Sequence, residues 1–132
     1  MAQQPVETIL VRQLAGYLSV PVIVVDPAET VVFYNEPAER LLGIRFEETG
    51  RISPEEAERL VERRDDPTVP SSGVVRPMLV ALHERRPAHT RRWVRRRADG
   101  AWLDLEITAF PLIGQEDVLL GAVVMFWERP GP

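Results

Sequence analysis

The stretch PVIVVDPAETVVFYNEPAERLLG, residues 21–43, decides how the chain is read. PVIVVD is short, β-branched and almost wholly apolar, the pattern of a strand buried on both faces, and TVVFY follows after a turn at DPAE. The two runs read as a hairpin. Asn35 then stands where a helix cap is needed, with the helix starting at Glu36, Pro37 tolerated in its first turn and Gly43 supplying a left-handed stop. That helix is expected to bury Ala38, Leu41 and Leu42.

Upstream, VETILVRQLAGYL, residues 6–18, places Val6, Ile9, Leu10, Leu14, Tyr17 and Leu18 at helical spacing, which predicts an amphipathic leading helix. Downstream, the composition turns polar from Ile44 to Ser72, with a Ser-capped helix predicted at about 54–63 and then a loop rich in Pro and Ser. A further helix at about 75–86 carries Val75, Met78, Leu79 and Leu82 on one face and ends before Pro87. The last third reads as strand throughout. HTRRWVRRR and AWLDLEITAF flank Asp99-Gly100, a strong hairpin signal, and VLLGAVVMFW is apolar on both faces, as a central strand would be.

A two-residue turn at Asp99-Gly100 sets a register in which Arg97 faces Trp102, Arg95 faces Asp104, Val94 faces Leu105 and Trp93 faces Glu106. Leu103, Leu105, Ile107 and Ala109 then share an apolar face, and Trp102, Asp104, Glu106 and Thr108 the other. The apolar side is expected to face the core.

Composition bounds the function. At 132 residues the chain suits one domain, and 45% apolar with 27% charged residues is an ordinary globular balance. No run of about 18 apolar residues is present and MAQQPVETIL lacks a basic-then-apolar signal pattern, so a cytoplasmic location is expected. The chain has no Cys, which excludes disulfides, thiolate metal sites, Cys nucleophiles and flavin-cysteinyl photochemistry. A net charge of −4 argues against a dedicated nucleic-acid binder. All sixteen basic residues are Arg, which is given little weight.

The order helix, two strands, several helices, then three antiparallel strands resembles the PAS domain over nearly the whole chain. PVIVVDPAETVVFYNEPAERLLG is similar to that family's opening strand pair and Asn-started helix, RRADGAWLDLEITAFPL to its Asp-Gly hairpin and LLGAVVMFWE to its final strand. The resemblance implies an α+β fold: a five-stranded antiparallel sheet, helices on one face, a cavity between them and a flanking amphipathic helix. It divides the chain into a flanking helix over 1–20, the domain over 21–129 and a tail over 130–132. It further implies a bacterial-type sensor, with no catalysis of its own, whose signals leave through the outer sheet face and flanking helices that commonly pair two copies. Many bacterial members end in an Asp-x-Thr motif, whereas FWERPGP stops; either the protein acts through partners or the chain is a fragment of a larger sensor.

Candidate chemistry follows in the same terms. Val75, Met78, Leu79, Leu82, Leu103, Leu105 and Ile107 are the expected lining of an apolar small-molecule cavity. Val6, Ile9, Leu14, Tyr17, Leu18, Trp102 and Trp127 are the expected interface of a homodimer or a signalling-protein partner; the plainer reading folds the leading helix back on its own sheet. His83 occupies a helix like the one that supplies the haem ligand in some family members, but beside Glu84, Arg85 and Arg86 it reads as a solvent-facing side chain. Flavin contacts from Trp102, Phe126, Trp127 and Asn35 are outweighed by core and capping roles, so no cofactor is required. RRWVRRR, with Trp93 interleaved, reads as a charged strand that blocks aggregation rather than a nucleic-acid surface. No hydrolytic motif or metal-ligand spacing is present. The readings carried forward are a small-molecule sensor, a ligand-free dimerisation module and a haem or flavin sensor.

Overall fold

The computed structural model describes residues 6–65 and 75–129. The chain runs α1 (Val6–Tyr17), β1 (Val22–Val25), β2 (Val31–Tyr34), α2 (Glu36–Leu42), α3 (Phe46–Thr49), α4 (Pro54–Leu60), β3 (Arg63–Asp65), α5 (Pro77–Glu84), β4 (Ala88–Arg95), β5 (Trp102–Ile113) and β6 (Leu119–Glu128). The strands form one antiparallel sheet in the order β2-β1-β6-β5-β4-β3, with α2 to α5 on its inner face. The Pro- and Ser-rich loop expected before α5 falls largely on residues 66–74, and with the tail 130–132 it lies outside the described residues.

Asn35 ties the first half together. Its side-chain oxygen accepts from Ala38 N at 3.2 Å, as a cap should, and also from Val22 N at 2.9 Å, while its amide nitrogen donates to Val20 O at 2.9 Å. One buried amide therefore caps α2 and anchors the entry to β1. Gly43 closes α2 in the left-handed region at φ 76°.

Three sequence expectations are corrected. The sheet has six strands rather than five, because the predicted helix at 54–63 ends at Leu60 and Arg63–Asp65 then pairs with β4 as the edge strand. The helix predicted at 75–86 is shorter, Pro77–Glu84, since Arg76 is extended and Arg85 turns left-handed. The β4–β5 hairpin is offset by two residues: Arg95 faces Trp102, Val94 faces Leu103, Trp93 faces Asp104 and Arg92 faces Leu105. The cause is a four-residue loop, with Gly100 N donating to Arg96 O at 2.8 Å and Arg96 N to Ala101 O at 2.8 Å. Asp99 stays in the turn through Arg96 and the Ala101 N–H, whose hydrogen bonds lower its carboxyl to about 2. A slip of two leaves every side chain on its expected face.

The inner core joins Tyr34, Ala38, Ile52, Val94, Leu103, Leu105 and Phe126, continuing under α5 through Ala81, Leu82, Ala109 and Ala122. Gly121 permits a close approach of β6 to β1. A side chain there would meet Val25 O at 2.0 Å, and the residue's φ of 145° disfavours any Cβ.

Asn35→Ala is expected to lose the cap and strand the Val22 N–H, costing roughly 2–4 kcal/mol. Gly121→Ala is expected to cost at least about 1–3 kcal/mol by forcing β6 from β1. Urea denaturation of both variants checks this; wild-type midpoints would refute it.

Candidate functional site

Helices α2, α3 and α4 are short, seven, four and seven residues, so their apolar side chains reach the sheet in ones and twos rather than as a continuous stripe. The space they leave is a cavity of about 250 Å³. Its floor comes from Ile23, Val25, Val94, Leu105, Ile107, Val124 and Phe126, and its roof from Ala57, Leu60, Met78 and Leu79. The bridge between Val31 and Ile52, with N–H···O distances of 2.8 and 3.0 Å, holds the chain before α4 at the cavity edge. The volume lies just below the ~300–1,000 Å³ of drug-sized pockets, which suits a compact molecule.

Polar groups in the wall are few. Tyr34 is buried and shares a hydrogen bond with Thr49 Oγ1 at 3.2 Å; burial raises the phenol above its usual value, and the Thr49 bond offsets part of that rise. Glu29 borders the wall from the β1–β2 turn. The remaining charge gathers at the opening, where Glu58, Arg63, Arg76 and Arg92 line both the cavity and an outer vestibule of about 380 Å³ that also includes Glu62 and Trp102.

The seven expected lining residues separate. Met78, Leu79, Leu105 and Ile107 line the cavity; Leu82 and Leu103 are buried in solid core beside it, and Val75 is exposed ahead of α5. His83 is exposed and neither histidine is in the wall, so the site offers no imidazole to a haem iron. Among the flavin candidates, Phe126 lines the cavity, Trp102 borders only the outer vestibule, Trp127 lies on the opposite sheet face and Asn35 is engaged with backbone. No cluster of three or more metal-ligating side chains occurs among the described residues.

Sequence reading missed the guanidinium opening. Arg92 was counted only as part of the basic run, yet it is 6% exposed and faces inward opposite Leu105, in the same row as Val94. The parity of β4 carried that signal, since Arg92 and Val94 are two apart. Arg92 has a partner of its own, and three other arginines of the run are engaged locally: Arg91 with Asp104 at 2.7 and 2.8 Å, Arg95 with Glu62 at 3.4 Å and Arg96 with Asp99 at 2.7 Å.

The outer sheet face is polar and aromatic. His89 bonds both Thr108 and Glu106, Glu106 also meets Arg129 at 3.4 Å, and Arg64 lies over the rings of Trp93 and Trp102 at 5.6 and 4.7 Å. Helix α1 folds back on the β1–β2–β6 end of this face, with Val11 against Val22, Val24, Val32 and Val123 and Arg12 4.8 Å from the Phe33 ring. Val6, Ile9, Leu14, Tyr17 and Leu18 remain exposed, as does Trp127. No described helix is long and apolar enough to cross a membrane.

The family model described as the PAS fold matches residues 9–128. Among solved structures, the chain is similar to the PAS domain of Bordetella pertussis BvgS, at 14% identity and a TM-score of 0.62, covering 95% of this chain and 87% of that one. It is similar to a Rhodobacter sphaeroides LOV protein, at 17% identity and a TM-score of 0.71, covering 94% and 68%. The light-state dimer of the fungal blue-light photoreceptor Vivid aligns at 11% identity and a TM-score of 0.65, covering 97% of each chain. No curated protein matches. Identities this low establish the fold.

Leu103→Ala should cost about 2–5 kcal/mol, whereas Met78→Ala should cost less, because one side of Met78 already faces open volume. Guanidinium denaturation of the pair checks the cavity; equal costs would contradict it.

Proposed function

The chain belongs to the PAS family, and from that premise we propose that it is a cytoplasmic sensory module that binds a compact small molecule between its sheet and helices α4 and α5. The observation that carries this reading is the largely apolar cavity of about 250 Å³ beside the inner core. Relatives by fold that are named as a nitrogen regulation protein and a blue-light photoreceptor support a signalling role. Apolar walls supply affinity and the charged opening orientation, the usual division of labour in a ligand pocket. No catalytic step is assigned to it.

A second reading, a dimerisation module, draws on the apolar residues that α1 leaves exposed, above all Leu14 at 60% and Tyr17 at 89%. It is compatible with the first, since a ligand in the core and a partner on α1 use opposite faces of the sheet.

Native mass spectrometry and thermal shift against a metabolite panel test the sensor reading. A ligand at 100 times its Kd adds about 2.7 kcal/mol, enough to raise Tm by several degrees in a domain of this size. Ala57→Phe, which fills the cavity from the roof, is expected to abolish that rise while keeping the fold; a rise that persists would place the ligand elsewhere. For the second reading, deletion of residues 1–18 is expected to halve the mass by light scattering. An unchanged mass counts against a dimer through α1.

A further inference from the structure

We propose that the cavity takes a compact monocarboxylate with an apolar body, its tail between sheet and roof and its charge at Arg63, Arg76 and Arg92. This rests on the sensor reading above and adds the chemical class of the ligand.

The first ground is position. The three arginines line both the cavity and its vestibule, so they stand at the junction a half-buried ligand would cross. Arg92 does so from the sheet floor at 6% exposure, where the inward row is otherwise apolar at Val94, Leu103 and Leu105. A guanidinium is costly to place there, and although Arg92 has a partner its buried Nε–H meets no acceptor among the described residues, so one donor remains for an incoming anion.

The second ground is charge balance. Among the described residues, Arg63 is engaged by Glu58 at 3.2 Å, Glu62 is drawn to Arg95 at 3.4 Å and Arg92 has an interaction of its own, which leaves Arg76 as the cation open to a ligand. Arg76 makes no side-chain hydrogen bond or ion pair among the described residues. An anion meeting Arg76 at this opening gains charge-assisted hydrogen bonds, and guanidinium geometry matches a planar carboxylate. An amine would meet repulsion in the same place.

The third ground is the rest of the wall. Beyond the opening it is hydrocarbon except for the Tyr34 hydroxyl, already bonded to Thr49, and Glu29 at the β1–β2 turn. A second negative charge on the ligand would therefore be buried against apolar side chains or beside Glu29. That selects one charge and an apolar body.

Isothermal titration of the full chain with octanoate, 1-octanol, octylamine and monooctyl phosphate tests the class. Octanoate is expected to bind about tenfold more tightly than 1-octanol, octylamine weakest, with the octanoate advantage shrinking at high salt. Arg76→Ala should lower octanoate affinity about fivefold and leave 1-octanol unchanged; Arg92→Met, checked for folding by circular dichroism, should remove the preference for the acid. Equal binding of octanoate and 1-octanol, tighter binding of the phosphate, or an unaltered octanoate affinity in Arg76→Ala overturns the inference while leaving the cavity reading intact. Failure of octanoate and 1-octanol alike to bind the wild type overturns both.

Discussion

The amide of Asn35 is the constraint on which the site depends. Its oxygen receives the Val22 and Ala38 N–H groups and its nitrogen holds Val20 O, so the entry to β1, the exit of β2 and the start of α2 are fixed within one residue's reach. All of this happens at 2% exposure, where an unmet backbone donor would cost about 1–3 kcal/mol. Because α2 must leave the sheet at that point, Leu41 and Leu42 pack half-buried against the core and the short helices that follow cover the same face of the sheet.

Those short helices explain why a void exists at all. A single long helix could press an unbroken apolar stripe onto the floor; here only the second half of α5 packs on it directly, Ala81 and Leu82 with Ala109 and Ala122. Small residues in that contact bring α5 close to the sheet. On the other side of the cavity, the backbone bridge between Val31 and Ile52 and the Ser53 hydroxyl capping Glu56 N fix where α4 starts, in addition to the packing of Ala57 and Leu60. A roof anchored in part by its own backbone can leave volume beneath it.

Much of this was legible in residues. Asn35, Gly43 and the β-branched runs around them specify local geometry through capping, left-handed φ and side-chain stiffness, none of which needs knowledge of the rest of the chain. The apolar parity of Leu103, Leu105 and Ile107 was readable because period two survives any even slip of register. The hairpin offset was not readable, since Asp-Gly serves both a two-residue and a four-residue loop, and the choice here is made by hydrogen bonds between Arg96, Gly100 and Ala101. Strand β3 was hidden because Arg63 and Arg64 have no apolar pattern; they pair with Val94 and Trp93 only because β4 offers an open edge. The polar end of the site escaped for a related reason: Arg63, Arg76 and Arg92 come from three separate elements, and only tertiary structure brings them to one opening.

The two faces of the sheet are joined by the alternation of single strands. Along β1, Val22 and Val24 seat α1 while Ile23 and Val25 line the cavity; along β6, Val123 seats α1 while Val124 and Phe126 line the cavity. Successive side chains on one backbone therefore touch the cavity and the flanking helix, about 3.4 Å apart along the strand. A ligand shifts an equilibrium only by the difference in its affinity for the two arrangements. On the proposed reading, that difference arises in β1 and β6, because any twist of these strands that accommodates a body against Ile23 and Val124 also tilts the seat of α1. Transmission then needs no relay of separate contacts, only strands whose opposite sides face the two sites.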